Sequence, residues 1–413
     1  MQALVFGTSP QPFTPPPGAN RLVQNLASTP CALIDVPDAQ PLRPDWYVIR
    51  PLLTGICGSD SKQVLMDFEG DSDSAMSGLC SFPQVLGHEV VGEVVSAGPD
   101  AIGFELGERV VLNPWLSCAP RGIDPLCPAC QAGDFSLCWS FTAGDISTGI
   151  HTGVSSDATG GYAELMPAHS SMLFRVPDAI DDEHAIFADP FAVSLHSVTR
   201  HPPPPGGRVL VWGAGALGCA AVAVLRALYP DVEVGVVARF DAQADLAAKL
   251  GASAVFRLDT QLALVEQLAA WSGGVLRPTM EGLPGVPMCH PGGIDVAYDT
   301  VGKPETFEAE VRVLKARGTL VKSGVHAPGR WEWSPLYFKE ISWVGSNAFG
   351  IEDVEGVRQH AIQHYLDLVQ AGRIDLTGLL THTFPLSAWQ DAFLAVADQA
   401  RSHAIKVAID PSC

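Results

Sequence analysis

A chain of 413 residues is long enough for two domains with separate cores, and 47% hydrophobic against 17% charged residues is a globular balance. A formal net charge of −20 argues against nucleic acid or an anionic membrane as partner, since both need clustered positive charge. The start, Met1-Gln2-Ala3-Leu4-Val5-Phe6, lacks the basic and long apolar segments of a signal peptide, and no apolar stretch is long enough to span a bilayer.

Residues 1 to about 55 alternate short strand signals with proline-rich turns; Pro15-Pro16-Pro17-Gly18 reads as a loop and 46–50 as a strand. After Thr54-Gly55-Ile56-Cys57-Gly58-Ser59-Asp60 comes an acidic, Ser/Gly-rich exposed loop at 67–74. Alternating β-branched residues at 86–95 predict a strand. A cysteine-bearing lobe occupies 113–139, and glycine-rich irregular sequence follows to about 170. From about 190 to 345 the pattern switches repeatedly between strands (209–212, 232–237, 254–256, 294–299, 319–323, 342–346) and helices (216–228, 242–250, 261–271, 305–316). Such alternation predicts an α/β fold with a doubly wound parallel sheet. Residues 274–293 hold four prolines and read as a surface insertion. The tail reads as helical over 353–371 and closes on a strand, Ala404-Ile405-Lys406-Val407-Ala408-Ile409. The expected organisation is one domain over 1–190, a coenzyme-binding domain over 191–345, and a return to the first domain over 346–413.

The stretch Val209-Leu210-Val211-Trp212 runs into Gly213-x-Gly215-x-x-Gly218 and then into a helix of small residues. The first glycine permits a tight turn, the second lets backbone approach a pyrophosphate, and the third lets helix and strand pack closely. The helix then opens on Ala216 and Leu217, whose N–H groups and dipole face the phosphates. About twenty residues on, an NAD site has a carboxylate for the ribose 2′-hydroxyl. Here the next strand ends in Ala238-Arg239, which suits a 2′-phosphate because a guanidinium pairs with phosphate bidentately. The residues favour NADP(H) over NAD(H); Arg239 as a solvated surface charge, or Asp241 serving the ribose in a shifted register, are the alternatives.

Of ten cysteines, Cys118, Cys127, Cys130 and Cys138 give C-x8-C-x2-C-x7-C, a set suited to a closed tetrahedral structural zinc, with free thiols as the alternative. Cys31, Cys80, Cys219, Cys289 and Cys413 have no such spacing, although Cys289-His290 could hold adventitious metal. Absence of a disulfide framework fits a reducing, cytoplasmic setting. Cys57, His88, Glu89 and Asp189 are scattered; singly, each fits a packed turn, a strand end or a helix start.

Taken together and in order, these stretches resemble the zinc-dependent medium-chain alcohol dehydrogenases, including polyol and threonine dehydrogenases. The likeness rests on Gly55-Ile56-Cys57-Gly58-Ser59-Asp60, Gly87-His88-Glu89 with Gly92, the four-cysteine lobe, Gly160-Gly161-Tyr162-Ala163-Glu164, Asp189-Pro190-Phe191-Ala192-Val193-Ser194-Leu195-His196 and the glycine fingerprint. It implies a Rossmann sheet joined to a mostly-β, GroES-like catalytic domain that carries the structural zinc lobe. It further implies that Cys57, His88 and Asp189 hold a catalytic zinc, with Glu89 ligating directly or exchanging with water. Ser59 would pass the alcohol proton towards solvent. The implied reaction is interconversion of a small alcohol and its carbonyl by hydride transfer with the nicotinamide, in a homodimer or homotetramer paired through the strand near 342–346.

Four features depart from that pattern. Lys62 stands where relatives often have histidine, the span from Cys57 to His88 is long, Arg121-Gly122-Ile123-Asp124-Pro125 enlarges the lobe, and 274–293 has no counterpart. Trp115, Phe141, His151, Trp331 and Phe349 either line a pocket or simply pack. The competing functions are an NAD-dependent polyol or threonine-type dehydrogenase, and a non-catalytic nucleotide-binding or redox-sensing protein with structural zinc only.

Overall fold

Val209 and Val211 lie on one face of the strand Arg208–Trp212 and Leu210 and Trp212 on the other, and all four are buried, as a strand covered on both faces requires. The computed structural model describes every residue except 68–74, 282–284, 327–328 and 413. Most of the expected acidic loop at 67–74, Cys413 and part of the 274–293 insertion therefore lie outside the described residues.

Six parallel strands stand in the order Ala254–Arg257, Glu233–Ala238, Arg208–Trp212, Ile294–Asp299, Leu314–Lys322, Ser342–Gly345. Helices Ala216–Leu228 and Asp241–Lys249 cluster with Val209 and Val211; Gln261–Ser272 and Pro304–Val313 cluster with Leu210 and Trp212. The winding reverses between Arg208–Trp212 and Ile294–Asp299, and the carboxyl ends of strands at such a reversal form a ligand crevice.

The expected strands and helices of this region stand within about two residues of the observed ones, except that the strand expected over 319–323 begins five residues earlier, at Leu314, and two helices are corrected, one here and one in the tail. The helix expected over 305–316 ends at Val313, and the chain turns directly into the strand Leu314–Lys322. The buried ammonium of Lys339 closes that helix, donating to the carbonyls of Val311, Arg312 and Leu314 at 3.1, 2.9 and 2.7 Å. The second correction concerns 353–371, expected to be helical throughout. Ile351–Val354 and Val357–His360 form an antiparallel hairpin, and only Ala361–Gln370 is helical. Glu355 and Gly356 take φ of +54° and +82° at the hairpin turn, and the His360 side chain caps the helix by accepting from the Ile362 amide.

The insertion forms a short hairpin, Leu276–Arg277 on Met288–Cys289, that leads into the amino end of Ile294–Asp299, opposite the crevice. Cys31, Cys219 and Cys289 are buried.

The second body is a mixed sheet in which Trp46–Gly55 pairs antiparallel with Glu89–Ala97, Met166–His169 and Lys406–Asp410. Lys406–Asp410 in turn runs parallel to Leu380–Pro385, so a strand from the end of the chain completes a sheet begun near its start.

Candidate active site

Gly55 and Glu89 face each other in the register of Trp46–Gly55 and Glu89–Ala97, which sets Cys57, two residues past one strand, near His88, one residue before the other. One ligand atom from each of Cys57, His88 and Glu89 lies within 4.8 Å of the other two. A Cβ at position 55 would run into the Glu89 carboxylate and the Lys406 side chain, so glycine there leaves room for that buried pair. Asp189 lies outside this group of three. It sits buried in the first turn of the helix Ala188–Arg200, where the dipole favours a carboxylate. Burial, tempered by the charge of His88 and reinforced by that of Glu89, raises its pKa to about 7.

Cys57 precedes the short helix Gly58–Val64, whose first turn exposes Ser59 and buries Asp60. Asp60 was not among the expected site residues. It accepts from the Cys57 amide at 3.2 Å and the Tyr162 hydroxyl at 3.0 Å, and it faces His88 Nδ1 at 3.5 Å. Although burial opposes a charge on His88, the carboxylate of Asp60 and the Cys57 sulfur hold the imidazole well above its ordinary range. This pocket attracts positive charge. Lys406, also not foreseen, forms a buried ion pair with Glu89 and donates to the Ile56 carbonyl at 3.0 Å. Lys62 is half-buried one turn along the helix; burial lowers its pKa, opposed by Cys57 and Asp67 and helped by Lys322 and Lys303.

One wall of the pocket is aromatic. His151 packs against His88 with ring centroids 4.5 Å apart and the rings tilted by 46°, and it meets Trp115 edge-on at 5.7 Å, while Phe141 packs on Trp115 at 6.3 Å. Burial, and then the charge on His88, push His151 down to about 3, so it stays neutral. Trp331 packs instead with Phe307 and Trp343 at the sheet edge, and Phe349 packs on His360.

In the lobe, one sulfur each from Cys118, Cys127, Cys130 and Cys138 lies within 4.8 Å of the others. Cys118 and Cys138 stand 3.6 Å apart and Cys127 and Cys138 3.9 Å. A tetrahedron with zinc–sulfur bonds of about 2.3 Å has edges of about 3.8 Å, so the set fits that ion. Amides of Cys127, Trp139 and Ser140 point at these sulfurs from 3.3 to 3.5 Å. Proton sharing with Cys130 draws Cys138 down to about 5. Arg121, from the lobe's extra residues, is fully buried and donates to the carbonyls of Leu116, Ala143, Ile146, Ser147 and Gly149. It thereby pins the loop that runs on to His151.

At the crevice, Gly213 takes φ +99° and a Cβ on Gly218 would strike the Gly213 carbonyl. A Cβ on Gly215 would meet nothing within 4 Å, which leaves room before the helix that opens on Ala216 and Leu217. These are the demands of a pyrophosphate cradle. Ala238 is buried at its strand end, while Arg239 is exposed with its guanidinium over the Phe240 ring at 5.1 Å.

Two family models match the chain: the alcohol dehydrogenase GroES-like domain over residues 43–178 and the zinc-binding dehydrogenase domain over 216–365. Sorbitol dehydrogenase of Bacillus subtilis is 24% identical, with 95% of this chain and 96% of that one covered. L-threonine 3-dehydrogenase of Pectobacterium carotovorum is 29% identical, with 76% and 79% covered. Among solved structures, an Escherichia coli alcohol dehydrogenase complexed with NADH superposes with a TM-score of 0.73 at 21% identity, covering 99% of each chain. A zinc-binding dehydrogenase from Sinorhizobium meliloti bound to NADP gives 0.67 at 24%, covering 92% of this chain and 95% of the other.

Proposed function

Since the chain belongs to the zinc-dependent medium-chain alcohol dehydrogenases and is a nicotinamide-dependent oxidoreductase of CH–OH groups, we propose that it interconverts a small alcohol and its carbonyl compound at Cys57, His88, Glu89 and Asp189, with NADP(H) preferred. The observation that carries the reading is the meeting of Cys57, His88 and Glu89 ligand atoms within 4.8 Å. Zinc held by these residues would supply a Lewis acid for the substrate oxygen, and a nicotinamide coenzyme in the crevice would supply the hydride chemistry. Asp60 orients His88, as partners behind metal-binding histidines do. Lys406 offsets the Glu89 charge, so Glu89 would either ligate the ion or exchange with water there as a carboxylate already partnered by an ammonium. Ser59, exposed in the first turn, would relay the hydroxyl proton by releasing its own towards solvent, and Lys62 stands one helical turn further out. The four lobe thiols hold a second, structural zinc.

The named relatives act on sorbitol and on L-threonine, substrates of the class that belongs to the runner-up reading. The neighbour complexed with NADH supports the runner-up, an NAD-dependent polyol or threonine-type enzyme. Initial rates with NAD⁺ and NADP⁺ decide between the two.

The proposed domain division is 1–190 with 346–413 for the catalytic part and 191–345 for the coenzyme part. Among the described residues no helix is long and apolar enough to cross a membrane. The cytoplasmic setting proposed here rests instead on ten cysteines used without a disulfide framework. A homo-oligomer is proposed through Ser342–Gly345, the outermost strand of the coenzyme sheet, where Trp343, Trp333, Tyr337 and Phe338 are exposed.

Native mass spectrometry of the wild type and of Cys57→Ser tests the reading. Two zinc ions per chain falling to one supports separate catalytic and structural sites. One ion, unchanged by the substitution, overturns the catalytic assignment and leaves the lobe alone metallated.

A further inference from the structure

The strand Ala254–Arg257 pairs with Glu233–Ala238 so that Arg257 stands beside Ala238, at the carboxyl edge where the coenzyme's adenosine ribose is expected. From there its Nη2 donates to the Arg239 carbonyl at 3.1 Å and pairs with Asp241 Oδ1 at 3.0 Å. Its Nη1 is buried and has no hydrogen-bond partner among the described residues. Asp241 is 93% exposed at its side chain, so among the described residues Arg257 alone restrains a carboxylate that follows Arg239 by two residues.

We infer that Arg257 sets the coenzyme preference by gripping Asp241 and the Arg239 carbonyl, and so makes the ribose subsite selective for a 2′-phosphate. The inference rests on the coenzyme reading given above. Asp241 is the one residue of this turn able to do the opposite job, accepting from a free 2′-hydroxyl. Its pairing with Arg257 occupies that carboxylate and cancels the repulsion it would exert on a phosphate. The bond to the Arg239 carbonyl fixes the backbone from which the Arg239 guanidinium projects over Phe240. An exposed ion pair of this kind adds little stability. Specificity, however, is a difference between two affinities, and a charge moved by one pair changes that difference directly. Arg257 is thus a positioning residue for selectivity, while Arg239 is the group that would touch the phosphate.

Calorimetric titration of the full chain with adenosine 2′,5′-bisphosphate and with 5′-AMP tests this without catalysis. The wild type should bind the bisphosphate more tightly, and Arg257→Met should cut the ratio of the two affinities by about tenfold, mainly through weaker bisphosphate binding. Adding Asp241→Asn to Arg257→Met should restore most of the ratio, because no free carboxylate is left. Equal weakening of both probes, or no recovery in the double variant, overturns the role given to Arg257. A wild type that binds the two probes equally overturns the coenzyme reading itself, and the inference falls with it. A wild-type preference that survives intact in Arg257→Met overturns the inference alone.

Discussion

In the lobe, four thiols lie within positions 118 to 138, with three backbone amides aimed at their sulfurs. The pocket instead gathers a thiol, an imidazole and a carboxylate from the facing ends of two strands and adds Lys406 from near the end of the chain. A closed set of thiols on one short stretch suits an ion that holds structure. A mixed set with buried counter-charges suits an ion that must keep a position open, and it depends on every strand that delivers a member. Removing one residue should therefore do different things in the two places.

The largest contrast is between Cys57→Ser and Cys130→Ser. The first should lower kcat/KM for alcohol oxidation by about a thousandfold while the thermal midpoint stays nearly unchanged. The second should release the zinc proposed for the lobe and cost about 4 kcal/mol of stability or more. Thermal unfolding run beside activity assays reads both, and equal destabilisation by the two would break the comparison.

Next in size is Lys406→Met, which strands the Glu89 carboxylate in a buried site and should cost about 3–5 kcal/mol in urea unfolding. Adding Glu89→Gln should return most of that loss. A single variant as stable as the wild type would mean that Glu89 is not held as an anion.

A milder effect is expected at the exposed edge of the crevice. Arg239→Ala should raise the KM for NADP⁺ about tenfold and leave that for NAD⁺ nearly alone; a parallel rise in both would remove the phosphate from the argument.

The smallest effect sharpens what Lys406 does, because a second buried carboxylate lacks such a partner. Glu310 is fully buried, and neither oxygen has a hydrogen-bond partner among the described residues. Burial, and then the nearby Asp299, raise its pKa well above the ordinary 4.5. The folded state therefore binds this proton more tightly than the unfolded chain. The stability it contributes is full below about pH 4.5 and is lost as pH rises towards the folded-state value. Glu310→Gln should gain on the wild type steadily between pH 5 and pH 8 in thermal midpoint. A gap that does not change with pH would show that Glu310 is ionised in the folded protein.

The same local-versus-distributed difference governs what could be read in advance. The glycine fingerprint and the four cysteines carry their geometry in spacing, and the coenzyme strands announce themselves by apolar runs between helices. Cys57, His88 and Glu89 were legible only through the likeness of several ordered motifs. Asp60 and Lys406 were not singled out, since an aspartate at a helix start and a lysine in a closing strand look ordinary until the fold brings them to His88 and Glu89. A lysine flanked by Ala404, Ile405, Val407 and Ala408 was the available hint. The hairpin at 351–360 was missed because its turn lies in Glu355-Gly356, a weak signal beside the strongly helical pattern that follows. Helix 304–313 was overrun because what ends it, Lys339, lies far along the sequence.

Arg121 also bears on modularity. Its five carbonyl partners reach from Leu116 to Gly149, so the lobe and the loop that sets His151 against His88 share one internal clasp. Grafting a shorter cysteine lobe into this chain would leave those carbonyls without a donor and let the pocket wall drift. The lobe and that loop can be exchanged between relatives only as a single cassette.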